Sequence, residues 1–380
     1  MKNITYFITI VVFLFSCKPK KYENKPKETY RVIAYVAGWT DVKSLKIQPD
    51  KLTHINYAFA IIKDGKVTYG SEESMLIDAQ NLAILVKLKE KNPKLKIMIS
   101  VGGWGGSGGF SDAALTKDSR ELFAKTAVEY MIRHKLDGVD VDWEYPGLAG
   151  AGNKFRSEDK ENFSLLIKEL RRALDRQGLK DDRHYEASIA SGGFPDYMSH
   201  TNLAEVHRNL DFINIMTYDF YHGWDSTTGH HANLFVSDKV KQTKGLSARR
   251  AVELHKLAGV PTKKIVLGVA FYGRQWKGVK KNSTNGFFQE AKTGGSGIQF
   301  NQLDKNYINK NSFVRYWDST AQTPYLWSAD SAIFISYDDE ESLTLKNQYI
   351  RDNKLGGVMF WEYSGDNESK LLNKVSELPR

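Results

Sequence analysis

Residues 136–146 read LDGVDVDWEYP, and this stretch decides the fold. Two valines and a tryptophan occupy every second position, which predicts a β-strand with one buried face. The positions between them carry the acids Asp140, Asp142 and Glu144. A solvated acidic face would not be backed by such large apolar residues, so these acids are expected to lie in a partly dry site. Asp137 has the opposite parity and is expected at the turn that enters the strand.

A row of carboxyl groups in a dry site predicts acid–base chemistry. Neighbouring carboxyl groups there cannot all ionise, so at least one keeps its proton near neutral pH, as a general acid must. Glu144 stands at the end of the strand and has the longest reach, so it is the natural donor. Asp142 and Asp140 are expected behind it in a hydrogen-bonded stack. The alternatives are a structural acid ladder or a metal site, but a calcium loop needs a turn-forming glycine in a polar loop.

Composition and charge limit the classes of partner. The chain has 380 residues, of which 41% are hydrophobic and 26% charged, so it is globular and long enough for one large or two ordinary domains. The net charge is +9, and five lysines lie between residues 18 and 27. The remaining charge is spread thinly, and no basic run is interleaved with aromatic residues. Nucleic acid is therefore not an expected partner, and a monomer is the default.

The first 17 residues resemble an export signal. Lys2 is followed by an apolar run over residues 4–15, which is short for a membrane span. The sequence LFSC at residues 14–17 is similar to a bacterial lipoprotein signal, and Cys17 is the only cysteine of the chain. We expect lipidation at Cys17 rather than an incidental cysteine, and a charged tether over residues 18–28. The predicted location is the outer membrane or cell surface, or the medium if the signal is an ordinary one.

Removal of the cysteine tests the anchor. We expect Cys17→Ser to abolish membrane attachment, because the thiol that would carry the lipid is lost. The measurement is the share of protein that sediments with membranes after cell fractionation. A variant that partitions with membranes as the wild type does would contradict the anchor.

Eight short apolar runs separated by amphipathic helical patterns predict the fold class. The runs cover residues 32–36, 53–59, 96–101, 138–143, 185–190, 212–216, 265–271 and 357–361. The clearest helical patterns cover residues 74–91, 118–134, 157–176, 247–258 and 339–353, and Gly178 falls where the third should stop. This alternation predicts an α/β protein, a (β/α)8 TIM barrel. A doubly wound sheet is the alternative, but no glycine-rich phosphate fingerprint follows the first strand.

One segment interrupts the alternation. Residues 274–336 have no strong helical period but much polar and aromatic content, and they are too many for a plain loop. We expect a small α+β insertion domain there, between strands seven and eight. The catalytic barrel would then comprise residues 29–273 and be completed by residues 337–380.

Aromatic and acidic residues concentrate at the predicted carboxyl ends of the strands, where barrel enzymes place their chemistry. These residues are Trp39, Phe59, Trp104, Glu144, Tyr218, Asp219, Tyr272, Arg274, Trp361 and Glu362. A single aromatic residue is more often part of a core than of a binding site. Several at the mouth of one barrel favour sugar binding, because the C–H faces of pyranose rings pack on flat aromatic surfaces. The glycine-rich run over residues 102–109 is interpreted as a loop that passes close to a ligand.

Five ordered motifs resemble the glycoside hydrolase family 18 chitinases. They are DGVDVDWE at 137–144, SVGGW at 100–104, MTYDF at 216–220, FYGR at 271–274 and GGVMFWE at 356–362. The resemblance implies an endo-type chitinase that retains anomeric configuration by substrate assistance, an exception to the two-carboxylate scheme. Chitin or N-acetylglucosamine oligosaccharides would be the substrates, and neither metal nor cofactor is implied. The insertion resembles the small insertion domain that walls the cleft of such enzymes.

The resemblance also implies roles for individual residues. Glu144 would be the general acid and base, Asp142 would hold the acetamido N–H, and Asp140 would share a proton with Asp142. Tyr218 would donate a hydrogen bond to the acetamido carbonyl. Trp361 would form the floor under the sugar. The further substrate-binding residues expected from the motifs and strand ends are Trp104, Asp219, Arg274, Tyr272, Trp224, Phe59, Trp39, Met216 and Gly103.

Three alternatives stay open. An endo-β-N-acetylglucosaminidase that cuts the chitobiose core of N-glycans would share the acidic row. A chitin-binding lectin on the same barrel would usually lack the acid at position 144. A conventional glucanase would need a second carboxylate at another strand end, for which Glu362 is the one candidate.

Overall fold

The computed structural model describes residues 29–239, 244–281 and 283–380. The expected signal, Cys17 and the tether lie outside the described residues. The described strands are β1 Arg31–Ala37, β2 His54–Lys63, β3 Lys66–Thr68, β4 Lys96–Gly102, β5 Gly138–Asp142, β6 Glu186–Gly192, β7 Phe212–Met216, β8 Ile265–Ala270, β9 Tyr272–Lys277, β10 Thr293–Gln299, β11 Val314–Asp318, β12 Thr323–Ser328, β13 Ile333–Ser336 and β14 Gly357–Trp361.

Eight of these strands close into a parallel barrel. Its order is β1-β14-β8-β7-β6-β5-β4-β2, and a β1–β2 pairing closes the ring. The strands are buried along nearly their whole length because helices cover the outside and side chains fill the interior. The predicted TIM barrel is confirmed, and each of the eight apolar runs forms one of its strands.

Helices connect most of the barrel strands. The described α-helices are α1 Glu72–Lys87, α2 Phe110–Leu115, α3 Lys117–Arg133, α4 Asp159–Asp181, α5 Pro195–Ser199, α6 Leu203–Val206, α7 Ala248–Leu257, α8 Phe300–Asn306, α9 Glu340–Asp352 and α10 Lys370–Val375. The predicted end of α4 at Gly178 is wrong. The helix continues to Asp181, and the chain turns at Asp182, whose φ is 48°. Gly178 instead allows a close return of the chain, since a Cβ there would lie 2.4 Å from the Arg183 carbonyl oxygen.

A second, antiparallel sheet stands between barrel strands β8 and β14. Its order is β10-β9-β13-β12-β11, and α8 lies within the same segment. The first of its strands in the chain, β9, begins at Tyr272, so Tyr272 and Gly273 belong with this sheet rather than with the barrel. Its apolar cluster includes Trp276, Trp327 and Phe334, and Phe220 from the β7–α7 connection packs into it. The second sheet is thus joined to the barrel through the loop that follows β7.

A buried ion pair fixes the return of the chain from the second sheet to the barrel. Asp338 follows β13, and its carboxylate accepts hydrogen bonds from Lys346 Nζ at 2.7 and 2.6 Å. The same ammonium group donates to the carbonyl of Ala232 at 2.7 Å. Both charged side chains are almost completely buried, with exposures of 1% and 0%. The pair therefore joins α9, the end of β13 and the β7–α7 connection at one point.

In the part of the chain that the structure describes, no helix is long and apolar enough to cross a membrane.

Breaking this pair should destabilise the fold strongly. Lys346→Met keeps the length of the side chain but leaves the Asp338 carboxylate buried without its partner, which costs about 3–5 kcal/mol. The measurement is the free energy of unfolding from urea titration at pH 7. The control is Lys125→Met, which removes an exposed ion pair with Glu129 on α3 and should cost under about 0.5 kcal/mol. Equal losses in the two variants would contradict the role of the buried pair.

Candidate active site

A deep cavity opens at the carboxyl ends of the barrel strands. It has a volume of about 1360 Å³ and continues along the second sheet. Of the residues predicted for the site, those that line it are Trp39, Phe59, Trp104, Asp142, Glu144, Met216, Tyr218, Asp219, Trp224, Tyr272, Arg274 and Trp361. Two predicted residues, Asp140 and Gly103, do not line it.

The strand register places Asp140 in a ring of hydroxyl groups below the cavity. Ser100 on β4 and Ser188 on β6 lie directly opposite Asp140. Their hydroxyls donate to its carboxyl group at 2.8 and 2.5 Å, and Tyr35 on β1 donates at 2.7 Å. Burial raises the pKa of Asp140, while these hydrogen bonds lower it. The centre of the barrel therefore holds one carboxyl group that accepts hydrogen bonds from its two neighbouring strands and from β1 across the barrel.

The hydrogen-bonded stack of Asp140 with Asp142 stays a prediction. The hydrogen bonds to Asp140 come from hydroxyl and amide groups, and Asp142 Oδ1 is buried without a hydrogen-bond partner. The register brings serines of the two adjacent strands within reach of Asp140, and the charge of Asp140 also acts on Asp142. Asp142 is the last residue of β5, and it alone of the two faces the cavity.

Asp142 and Glu144 form an acidic pair, and burial is the main influence on their protonation. Burial raises the pKa of Asp142 well above its ordinary value, and the charges of Glu144 and Asp140 add to the effect. Burial raises the pKa of Glu144 to about 7, against a hydrogen bond from Tyr145 that lowers it. The charge of Asp219 across the cavity raises the pKa of Glu144 as well. A carboxyl group with this pKa is half protonated near neutral pH and can both donate and accept a proton.

Asp219 and Arg274 form a fixed ion pair in the cavity wall. Arg274 Nε donates to Asp219 Oδ1 at 2.7 Å, and its terminal nitrogen donates to the other carboxylate oxygen. The buried ring of His231 lies 3.5 Å from the same carboxylate. Burial would raise the pKa of Asp219, but the interactions with His231 and Arg274 outweigh it and hold that pKa below its ordinary range. Asp219 therefore remains a carboxylate beside the protonatable Glu144.

Aromatic rings form two groups along the cavity. In one group, the ring centroid of Trp361 lies 5.6 Å from that of Phe59, 6.1 Å from that of Trp39 and 5.7 Å from that of Tyr35. In the other, Trp104 and Trp224 lie 5.4 Å apart. Trp39 and Trp224 are 71% and 73% exposed, so neither is held in a core. Their exposure favours the ligand-platform interpretation of these two rings.

The glycine-rich loop after β4 packs against the acidic strand as well as the cavity. Gly103 adopts a φ of +78°, and a Cβ there would lie 2.6 Å from the Phe59 ring. Its amide donates to the carbonyl of Asp142 at 2.8 Å. The missing side chain of Gly103 thus lets Phe59 and Asp142 approach, and its substrate contact stays a prediction.

Tyr218 and Glu362 both line the cavity, but their side chains differ in their hydrogen-bond partners. The Tyr218 hydroxyl faces the sulfur of Met359 at 3.8 Å, and Tyr218 also lines the cavity. Glu362 lines the cavity too, but its carboxylate accepts hydrogen bonds from the amide and hydroxyl of Ser364. Glu362 thus caps a short helical turn, which disfavours it as the nucleophile of a conventional glucanase.

Sequence reasoning missed three residues of this site. In the sequence, Tyr35 resembles an ordinary strand residue. The alternation of side chains along β1 could nevertheless have predicted that it points into the barrel. Tyr145 follows Glu144 directly, and its ring packs 6.4 Å from Trp104. His231 lies in a long connection without periodicity, so no local pattern places it beside Asp219. Within the described ranges, no group of three or more His, Cys, Asp or Glu side chains is arranged to hold a metal ion.

A barrel whose cleft combines aromatic platforms with a protonatable acid has the arrangement of a glycoside hydrolase. A sequence model described as glycosyl hydrolases family 18 matches residues 31–366. The chain is 37% identical to Chitinase A1 of Niallia circulans over 99% of this chain and 62% of that protein. It is 30% identical to Chitinase B of Serratia marcescens over 84% of this chain and 74% of that protein. A solved structure of a family 18 N-acetylglucosaminidase from Paenibacillus barengoltzii is 43% identical, covers 92% of this chain and 99% of its own, and has a TM-score of 0.83.

The chain belongs to glycosyl hydrolases family 18. The predicted family and the class of enzyme, a glycoside hydrolase, are confirmed. The chain spans about three-fifths of the length of Chitinase A1, at 62%.

The hydroxyl ring around Asp140 can be tested through stability. Tyr35→Phe removes one donor to a buried carboxyl group and should lower the free energy of unfolding by about 1–3 kcal/mol. The matched control is Tyr185→Phe, since Tyr185 donates to Asp181 at the same distance of 2.7 Å but Asp181 is exposed. That variant should change the stability by under about 0.5 kcal/mol. Urea titration at pH 7 measures both, and a Tyr35→Phe loss no larger than the control would contradict the account.

Proposed function

We propose that the protein is a chitinase that hydrolyses β-1,4 links between N-acetylglucosamine units with retention of configuration. The observation that carries the proposal is the position of Glu144. Its carboxyl group lies in the cavity with Asp142 and the two aromatic groups, and its pKa is raised to about 7. The relatives named chitinases support the same substrate class.

The proposed first step breaks the glycosidic bond. Glu144 donates its proton to the glycosidic oxygen, and the bond from that oxygen to the anomeric carbon breaks. The carbonyl oxygen of the substrate's own 2-acetamido group forms the new bond to the anomeric carbon, giving an oxazolinium ion. Asp142 accepts the acetamido N–H and stabilises the positive charge, and Tyr218 donates a hydrogen bond to the acetamido carbonyl oxygen. A cavity that excludes water strengthens each of these interactions.

The proposed second step returns the enzyme to its starting state. Glu144, now a carboxylate, takes a proton from a water molecule that attacks the anomeric carbon. The oxazolinium ring opens, and the product keeps the β configuration after two inversions. No enzyme-derived nucleophile is needed, which agrees with the engagement of Glu362 by Ser364.

The aromatic groups are proposed to bind sugar rings on both sides of the scissile bond. Trp361 stacks with Phe59 and lies next to Trp39, which provides a continuous apolar surface on one side. Trp104 and Trp224 provide the other surface. The Asp219–Arg274 ion pair is proposed to bind polar substituents of the substrate between these two aromatic surfaces.

A second candidate is the release of single N-acetylglucosamine units. The related solved structure from Paenibacillus barengoltzii is named an N-acetylglucosaminidase, and this chain covers 99% of it. The two candidates share the acid and the acetamido chemistry but differ in product length. Early products of two to four units from a hexamer favour the chitinase, and monomer from the first turnovers favours the second candidate.

Removal of the acid tests the assignment of Glu144. We expect Glu144→Gln to reduce kcat on N-acetylglucosamine hexamer by about 1000-fold or more, since it cannot donate a proton, and to leave the Kd within about threefold. Product chromatography and calorimetric binding measure the two quantities. The control in the same cavity is Glu362→Gln, which should cost less than about tenfold. Retention of turnover by Glu144→Gln would refute the assignment.

The raised pKa of Glu144 predicts the pH dependence. The acid form of Glu144 is the active one in the first step, so kcat/KM should fall tenfold per unit above about pH 7. The measurement is kcat/KM on an oligosaccharide between pH 4 and 10, within the range where the fold is intact. A profile that stays flat up to pH 9 would show that a protonated Glu144 is not required.

A further inference from the structure

The hydroxyl of Ser107 lies directly behind the two acids. Ser107 is fully buried at the start of a short 3-10 turn in the glycine-rich loop. Its Oγ accepts the amide N–H of Glu144 at 2.9 Å. The same hydroxyl reaches the carbonyl oxygens of Gly103 at 2.9 Å and Asp142 at 3.2 Å. One side chain thus contacts the backbone of both acids.

This contact replaces strand pairing at the point where the strand stops. β5 ends at Asp142, so the ladder of the barrel no longer holds the backbone of Glu144. The amide of Glu144 donates to Ser107 instead, within a part of the cleft where an unsatisfied N–H would be costly. The position of the Glu144 side chain therefore depends on a hydrogen bond from a different loop.

The loop that carries Ser107 packs closely against the end of β5. The carbonyl of Asp142 accepts the amide of Gly103 at 2.8 Å. A Cβ at Gly102 would lie 2.2 Å from that same carbonyl oxygen, so the two backbones are as close as glycine allows. A serine held by such a loop presents its hydroxyl at a fixed place.

We propose that Ser107 is a positioning residue for the general acid. Its hydroxyl ties the backbone of Glu144 to that of Asp142 and so fixes the proton donor relative to the carboxylate that holds the acetamido group. The inference rests on the proposed function of Glu144 and Asp142, and it assigns Ser107 no contact with the substrate.

The test compares two leaving groups. Ser107→Ala should lower kcat/KM on N-acetylglucosamine hexamer by about 10- to 100-fold, the usual effect of a misplaced catalytic group. On the 4-nitrophenyl glycoside of N,N′-diacetylchitobiose the loss should be under about threefold, because an acidic phenol departs with little help from the acid. The Kd for the hexamer with each variant should stay within about twofold of the wild type.

Two further variants separate positioning from a general loss of structure. Ser107→Cys keeps the shape of the side chain with a slightly larger atom that hydrogen-bonds weakly, so it should fold and lose activity in the same leaving-group-dependent way. Ser328→Ala removes an equally buried serine hydroxyl that accepts an amide N–H in the second sheet, and should leave the ratio of the two substrates unchanged. Equal losses on both substrates, or full hexamer activity in Ser107→Cys, would overturn the inference. A wild type that cleaves neither substrate would refute the proposed function instead.

Discussion

The Asp140 carboxyl group accepts hydrogen bonds from Ser100, Ser188 and Tyr35 at the centre of the barrel. The alignment of the strands and the position of the active-site acids depend on this interaction. A carboxyl group at the centre of a barrel is costly unless its oxygens are satisfied. Ser100 and Ser188 satisfy them because the register places these serines on either side of it, and Tyr35 completes the ring. A shift in register would leave the acid unpaired, so this interaction fixes how β4, β5 and β6 are aligned. That alignment in turn brings Asp142 to the last position of β5.

The active-site geometry follows from the way β5 ends. The two residues after Asp142 lie outside the ladder. The glycine-rich loop supports the chain at this point, since Gly103 donates to the carbonyl of Asp142 and Ser107 accepts the amide of Glu144. The acid therefore sits on rigid backbone although it belongs to a loop. Burial in this position raises the pKa of Glu144, while Asp219 stays ionised beside Arg274. Two carboxyl groups in one cavity are thus kept in different protonation states by their surroundings, which divides the chemical roles between them.

The barrel could be predicted from the sequence because each buried strand is a short apolar run and each helix has its own period. The acidic row could also be predicted, because apolar and acidic residues alternate within residues 136–146. The partners of Asp140 were not, because register between strands decides them and no local pattern encodes it. The packing of Gly103 could not be predicted for a similar reason, because it depends on Phe59, a residue from another strand. His231 and Ser107 lie in connections, where the sequence gives the residue type but not its neighbours.

The anomeric form of the first products distinguishes substrate-assisted retention from other routes of hydrolysis. N-acetylglucosamine hexamer is added to the enzyme, and proton NMR follows the products before mutarotation. The proposed mechanism predicts β-anomers at early times, because the acetamido group and then water each invert the anomeric carbon. It also predicts no cleavage of cellohexaose, which has no acetamido group. Early α-anomers, or hydrolysis of cellohexaose at a comparable rate, would contradict the account.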